Sequence, residues 1–234
     1  MITAAVVLIG DEVLSGRTKD ANLNYIANKC QEKGIVVQEC RVVPDKEEMI
    51  IEAVLALSAK NTYVFTTGGI GSTHDDITQE SIAKAFNKPL VVHLEALKIL
   101  EDYYGDRINE ARRRMARAAE GAVLHEKMVF QVQNVFILAG IPTVMQGMLD
   151  AILPKLEHDD PILSITVKAY VYENELADEL ALIQQSVSDV SIGSYPFDET
   201  GTVKGTNLVA RSRDPKRLAI AQQLLQALVD SKAS

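Results

Sequence analysis

The 234 residues hold only two cysteines, Cys30 and Cys40. Their spacing is not that of a CxxC pair, which excludes a disulfide framework and a cysteine-ligated zinc site. Basic residues are also scarce, with 24 Lys and Arg against 32 Asp and Glu and a formal charge of −8. Affinity for nucleic acid rests on clustered positive charge. Neither the part before residue 160 nor the part after it is net basic, so no nucleic-acid partner is expected. No apolar run approaches the roughly 18 residues that a membrane span requires. The apolar stretch 2–9 has no basic region before it and ends at Gly10-Asp11-Glu12, unlike a secretory leader. A cytoplasmic location without a membrane partner is the expectation. Apolar residues make up 47% and charged residues 24%, an ordinary balance for a globular protein. The length suits one large domain, or a medium one with a small one.

The chain alternates between strand and helix patterns. Continuous apolar or β-branched runs predict strands over 4–9, 35–43, 62–67, 90–92, 129–132 and 135–139. Helical periodicity predicts helices over 21–33, 46–59, 79–86, 94–104, 109–119 and 143–156, with Gly34 stopping the first. Such alternation implies a mainly parallel sheet covered by helices on both faces. After His158-Asp159-Asp160-Pro161 the pattern resets. It continues as a strand over 162–171, a helix over 173–186, a short strand ending at 192–193, a second over 207–211, and a last helix. That helix has Asp214 at its N-cap and Pro215 at its first position. Gly193-Ser194-Tyr195-Pro196 reads as a turn.

In open sheets of this kind ligands sit outside the carboxyl ends of the strands. Four loops rich in glycine, proline and aspartate lie there: Gly10-Asp11-Glu12, Pro44-Asp45, the segment 66–78, and Gly140-Ile141-Pro142. The third is the most informative. Gly68, Gly69 and Gly71 let the backbone approach a ligand closely, and the helix that follows offers free N–H groups and a positive dipole end to a phosphate. His74, Asp75 and Asp76 beside an anion site call for a metal ion or a proton between them.

The segment 10–18 (Gly10-Asp11-Glu12-Val13-Leu14-Ser15-Gly16-Arg17-Thr18), with Asp20 and Asn22, resembles the molybdopterin-binding MoaB/Mog fold. So do Thr67-Gly68-Gly69-Ile70-Gly71 and Thr73, Asp75, Asp76 and Thr78. Within that superfamily the chain is more similar to the competence/damage-inducible CinA-like group. Asn109-Glu110-Ala111-Arg112, Met115-Ala116, Glu120-Gly121-Ala122 and Gly193-Ser194-Tyr195-Pro196 look like that group's later signatures. The likeness covers nearly the whole chain, in a stand-alone form without the C-terminal amidohydrolase domain. It implies a three-layer α/β sandwich with a mainly parallel sheet over 1–158 and a small α+β KH-like domain over 162–234. It also implies a homo-oligomer and a small-molecule nucleotide or pterin ligand. The KH-like part has no basic GxxG loop, so RNA binding is not implied. Ser72 stands where relatives have a proline, and Leu138-Ala139-Gly140-Ile141-Pro142 lacks the first proline of the usual loop.

From the loops and the resemblance together, Asp76 and Asp45 are the candidate catalytic residues. Gly68, Gly69, Gly71, Ser72, Thr73, Gly10, Asn22, Gly140 and Pro142 are the candidate ligand-binding residues. Asp76, Asp75, Asp45, Asp11 and His74 are the candidate ligands of a divalent metal such as magnesium, manganese or cobalt. A plainer role stands beside each. Asp76 with Gln79, and Asp45 with Glu48, have the spacing of a helix capping box. Asn22 could cap a helix. Arg112, Arg113, Arg114 and Arg117 spread around their helix as solvated surface, one of them within reach of a phosphate. The resemblance implies metal-dependent hydrolysis of a dinucleotide pyrophosphate such as ADP-ribose or FAD. The alternatives are molybdopterin binding or adenylylation in molybdenum-cofactor biosynthesis, and a non-catalytic regulator that only binds its ligand.

Overall fold

The computed structural model describes residues 1–199, 201 and 203–232. They form two units, Met1–Gln31 with Ile35–Asp159, and Glu32–Gly34 with Asp160–Ser234. In chain order the first unit contains β1 (Thr3–Ile9), α1 (Asp11–Leu14), α2 (Asn22–Glu32), β2 (Val36–Val43), α3 (Glu47–Ser58), β3 (Tyr63–Thr67) and α4 (Thr78–Ala85). It continues with β4 (Leu90–Val92), α5 (Leu94–Tyr104), α6 (Glu110–Arg114), β5 (Arg117–Ala119), β6 (Val123–His125), β7 (Val129–Val132), β8 (Val135–Leu138) and α7 (Pro142–Ile152).

The reason for the architecture is visible in β1. Its residues from Ala4 to Ile9 are all buried, because successive side chains enter two different cores. Ala5, Val7 and Ile9 pack with Ile50, Ala53, Val54 and Leu57 of α3 and Ile82 of α4. Ala4, Val6 and Leu8 pack with Ile26 and Cys30 of α2 and with Met145, Leu149 and Ile152 of α7. A strand apolar at every position therefore requires helices on both sides, and the expected three-layer α/β sandwich results. The sheet order is β2-β1-β3-β8-β7-β6. The first three pairings are parallel, and β8–β7 and β7–β6 are antiparallel. Phe65 and Phe136 stack across β3 and β8 with ring centroids 5.8 Å apart. Burial pushes the Cys30 thiol up to about 12 and the Cys40 thiol up to about 11, so both stay protonated at neutral pH.

The helix expected over 109–119 breaks in the middle. Asn109 Oδ1 accepts from Arg112 N at 2.9 Å and starts α6, but α6 ends at Arg114. The chain then extends as β5 and pairs antiparallel with β4, Leu90 opposite Ala119 and Val92 opposite Arg117. Ala116, Ala118 and Ala119 are buried against the α3–α4 core. Pairing and burial of these small side chains outweigh the helix propensity of alanine.

The second unit contains β9 (Leu163–Ala169), α8 (Ala177–Ser186), β10 (Ser191–Glu199), β11 (Val203–Ser212) and α9 (Pro215–Lys232). The strands form an antiparallel sheet in the order β10-β11-β9. Val167, Ala169, Leu208 and Ala210 of the sheet meet Leu218, Ala221 and Leu225 of α9 in one core. Asp214 Oδ1 accepts from Lys216 N at 2.8 Å, the N-cap expected for α9. Gly193-Ser194-Tyr195-Pro196 is not a turn. It pairs in β10 with Val209, Leu208, Asn207 and Thr206. β10 is an edge strand, the place in a sheet where proline is tolerated. No helix among the described residues is long and apolar enough to cross a membrane.

Candidate functional site

Parallel pairing of β1, β2, β3 and β8 carries the loops after these strands to one edge of the sheet. Backbone and side-chain bonds then knit the loops together. Gly10 N donates to Val43 O at 3.1 Å, and Gly68 N to Leu138 O at 3.2 Å. Gly68 has φ 109°, and a Cβ on it would lie 2.1 Å from the Ile9 carbonyl oxygen. A Cβ on Gly140 would lie 3.2 Å from the Gly68 Cα. Three loops thus meet at one backbone point where a side chain has no room.

Asn22 is a brace. Its Nδ2 donates to Thr67 Oγ1 and to Gly140 O, both at 2.8 Å, while Thr67 Oγ1 donates to Ala139 O at 2.8 Å. The side chain is buried, and its Oδ1 has no partner among the described residues. With Asp20, Thr67, Gly140 and Pro142 it lines a small cavity of about 50 Å³. Asp20, not Asn22, caps α2, accepting from Asn22 N and Leu23 N at 3.1 Å each.

The glycine-rich loop is fixed from both ends. Thr78 Oγ1 donates to Gly68 O at 2.9 Å and Thr78 N to Gly69 O at 3.0 Å. Asp76 does not form the capping box that its spacing to Gln79 suggests. The N-cap of α4 is Ile77, without a side-chain bond. Asp76 Oδ1 instead accepts from Gly71 N at 2.6 Å, and Oδ2 from Thr73 N at 2.7 Å and Thr73 Oγ1 at 2.5 Å. Two of the loop's anion-seeking amides are therefore already engaged by a carboxylate. The N–H groups of Gly69, Ile70 and Ser72 have no acceptor among the described residues; these residues are half-exposed, so water or a ligand can serve them.

Asp45 likewise does not cap α3, whose N-cap is Lys46. Its Oδ2 accepts from Asp11 N at 3.0 Å, which leaves Oδ1 beside Gly69, 3.5 Å from where a Cβ there would sit. Burial raises the Asp45 carboxyl above its ordinary range, and the charges of Glu12, Asp11 and Asp75 raise it further against the lowering effect of the Asp11 N–H. Asp75 is exposed and held low, chiefly by the Thr73 hydroxyl that Asp76 also engages. His74 is almost fully exposed and lies 3.9 Å from Asp75.

The five expected metal ligands are thus close in sequence or space but do not form one donor set. Among the described residues no three His, Cys, Asp or Glu side chains converge as a protein-held metal requires. Asp76 faces the loop amides and His74 faces solvent. Asp45 Oδ1 remains. One carboxylate suits a hydrated magnesium-type ion that is shared with the phosphates of a ligand, but not a resident ion caged by the protein.

The arginines are more differentiated than a solvated helix surface. Arg112 lies 4.4 Å from the Tyr104 ring centroid, and Arg113 pairs with Glu101. Arg114 Nη2 donates to Ser72 O at 3.1 Å, tying α6 to the glycine-rich loop. Arg117, moved onto β5, lines a second cavity of about 210 Å³ on the other flank of that loop. Thr67 and Thr78, which carried the resemblance but were not expected as site residues, brace the strand-end loops, and Gln79 lines the second cavity. The hydroxyls bracketing the glycine run were the available signal for the first two.

Over residues 5–158 the chain matches the family model described as probable molybdopterin binding domain, and over 161–234 that of the FAD synthase middle domain. A protein of Archaeoglobus fulgidus is 31% identical over 232 residues, covering 97% of this chain and 98% of the relative. A CinA-like protein of Desulfotalea psychrophila is 28% identical over 90% of this chain and 54% of its own length. The crystal structure of the protein CinA from Thermoplasma acidophilum, described as of unknown function, superposes with a TM-score of 0.61 at 29% identity. It covers 65% of this chain and 96% of that one.

Proposed function

The chain belongs to the MoaB/Mog-like, probable molybdopterin-binding domain family and has CinA-like relatives, and from that premise we propose that its strand-end site binds and hydrolyses a dinucleotide pyrophosphate such as ADP-ribose or FAD. The observation that carries the reading is Asp45. It is a partly buried carboxylate with a raised pKa, without a Lys or Arg partner among the described residues, placed against a glycine-rich loop that presents three unpaired amides.

The amides of Gly69, Ile70 and Ser72 hold phosphoryl oxygens of the diphosphate. Asp76 keeps Gly71 and Thr73 in place, so these donors stay aimed without reorganisation. Asp45 Oδ1 accepts a proton from the attacking water, and its raised pKa makes it a better base than an ordinary carboxylate. The water oxygen bonds to phosphorus, the bond from that phosphorus to the bridging oxygen breaks, and two monophosphates leave. A divalent ion arriving with the diphosphate would be held by the phosphate oxygens, with Asp45 meeting it only through its hydration water, and would supply charge neutralisation while Asp45 Oδ1 stays free to act as the base. Glu12, Asp11 and Asp75 surround the site with negative charge, which favours ligands that bring a cation with them.

The test is product formation from ADP-ribose, FAD and NAD, each with magnesium, manganese or cobalt. Release of AMP is expected for at least one pair, with a rise in melting temperature on ligand binding. Asp76→Asn keeps an acceptor for one loop amide but loses the other, and is expected to lower turnover about tenfold while the protein stays folded. Hydrolysis that is undiminished in this variant, or absent with every pair, overturns the reading. The family's description, probable molybdopterin binding, favours a second reading in which the ligand is a pterin; adenylylation of that pterin is the reaction the sequence resemblance implies. Tight molybdopterin binding with ATP-dependent adenylylation would mark that case.

A further inference from the structure

The segment between β1 and α2 sits beside the strand ends but is barely attached to them. Among the described residues, Glu12 to Lys19 hydrogen-bond only to one another and to Gly10 and Asp11, as in Thr18 N to Glu12 O at 3.0 Å and Ser15 N to Asp11 O at 2.9 Å. Helix α1 contributes no buried residue, Leu14 is half exposed, and neither core includes a side chain of the segment. Its first residue makes the one bond to a neighbouring loop, Asp11 N donating to Asp45 Oδ2 at 3.0 Å. A segment held by so few bonds and so little buried area opens at low cost. Glu12, Val13, Thr18 and Lys19 share the cavity of about 50 Å³ with Thr67 and Gly140, so a gap runs between the segment and the strand-end loops. Gly140 abuts Gly68, next to the unpaired amide of Gly69. The segment also carries charge that the fold does not use. Arg17 and Lys19 are exposed and have no carboxylate partner among the described residues.

We propose that residues 11–19 form a flap that swings about Gly10 and Asp20 and closes on a bound diphosphate, with Lys19 and Arg17 contacting its phosphate oxygens. The proposal rests on the strand-end reading above, since the diphosphate is the ligand assigned there. Bonding that stays within the segment lets it move as one body, as hinged lids do. Closure supplies what the open site is short of, positive charge beside the carboxylates of Asp11, Glu12, Asp45 and Asp75. It also acts on the base. Because the first residue of the flap holds Asp45 Oδ2, the position of the flap and the direction of Oδ1 are linked through one hydrogen bond.

The test is limited trypsin digestion of the full chain, read by mass spectrometry, because trypsin cuts after Arg17 and after Lys19. Inorganic pyrophosphate and ADP, each with magnesium, are the probes, and calorimetry measures their binding. With a probe at about ten times its Kd, cleavage at these two bonds is expected to slow about tenfold, while cleavage within the second unit keeps its rate. Lys19→Gln and Arg17→Gln each leave the other bond as a reporter and are expected to weaken probe binding about tenfold. Their melting temperatures should match that of the native chain, since neither side chain has a partner in the fold. Equal slowing at every bond is general stabilisation by the ligand and overturns the proposal. Unchanged affinity in both variants overturns it as well. Binding of a probe without protection of the two bonds removes the flap and leaves the strand-end reading standing. Failure of the native chain to bind either probe overturns both.

Discussion

Gly68→Ala is expected to destabilise the protein by about 3–5 kcal/mol and to lower its melting temperature by roughly 10 °C. Two costs add. A residue with a Cβ at φ 109° is strained by about 1–2 kcal/mol. The new methyl would also lie 2.1 Å from the Ile9 carbonyl oxygen, which is backbone of the central strand and cannot swing aside. Moving it displaces β1, whose side chains serve both cores. Gly147→Ala is the control within one fold. Gly147 lies inside α7, at ordinary helical φ, and no atom comes within 4 Å of where its Cβ would sit, so alanine there is expected to stabilise by up to about 1 kcal/mol. Thermal denaturation of both variants decides the matter. A Gly68→Ala protein as stable as the native chain would mean that the three loops do not meet as described.

Asp45→Asn is expected to lower turnover by about 10²- to 10³-fold while raising the melting temperature at neutral pH. The rate loss follows from removing the base placed beside the loop's unpaired amides. The gain in stability follows from linkage. The Asp45 carboxyl titrates higher in the folded protein than the ordinary value near 3.9, so the folded state binds more protons in that interval. Its contribution to stability is complete below the unfolded value and is lost as pH rises through the raised folded value. At pH 7 the ionised carboxylate therefore destabilises the fold, and the neutral amide removes that cost while its oxygen still accepts from Asp11 N. Melting curves of the two proteins from pH 7 downward should converge. A difference that is constant with pH, or a variant less stable at pH 7, would contradict the account, as would full activity. Such exchange of stability for function is common where charges are gathered for chemistry.

How much of this was legible in the sequence depends on how local each signal is. The sheet was legible because residues 4–9 and β8 are apolar at every position, a pattern that suits a short strand covered on both faces. Loop positions followed from it, since parallel strands send their carboxyl ends to one edge. Asp45 and Asp76 were visible as candidates, but their spacing to Glu48 and Gln79 spelled capping boxes that the structure does not make. A capping motif states what a carboxylate can reach along the chain. It says nothing of a neighbouring loop that reaches it first, as Asp11 N reaches Asp45. The break at Arg114 was hidden for a related reason. Ala116, Ala118 and Ala119 favour a helix in isolation, and only β4, more than twenty residues earlier, offers them a better arrangement.

The carboxylate of Asp76, seated on the amides of Gly71 and Thr73, makes the loop its own first tenant. Any free anion seeking those two donors must evict a competitor tethered only a few residues away, at an effective concentration of millimolar or above. Stray acetate, sulfate or orthophosphate gains little by the exchange. On the proposed reading the ligand's phosphates take Gly69, Ile70 and Ser72 and leave the tenant in place, so the loop keeps its shape as the ligand arrives.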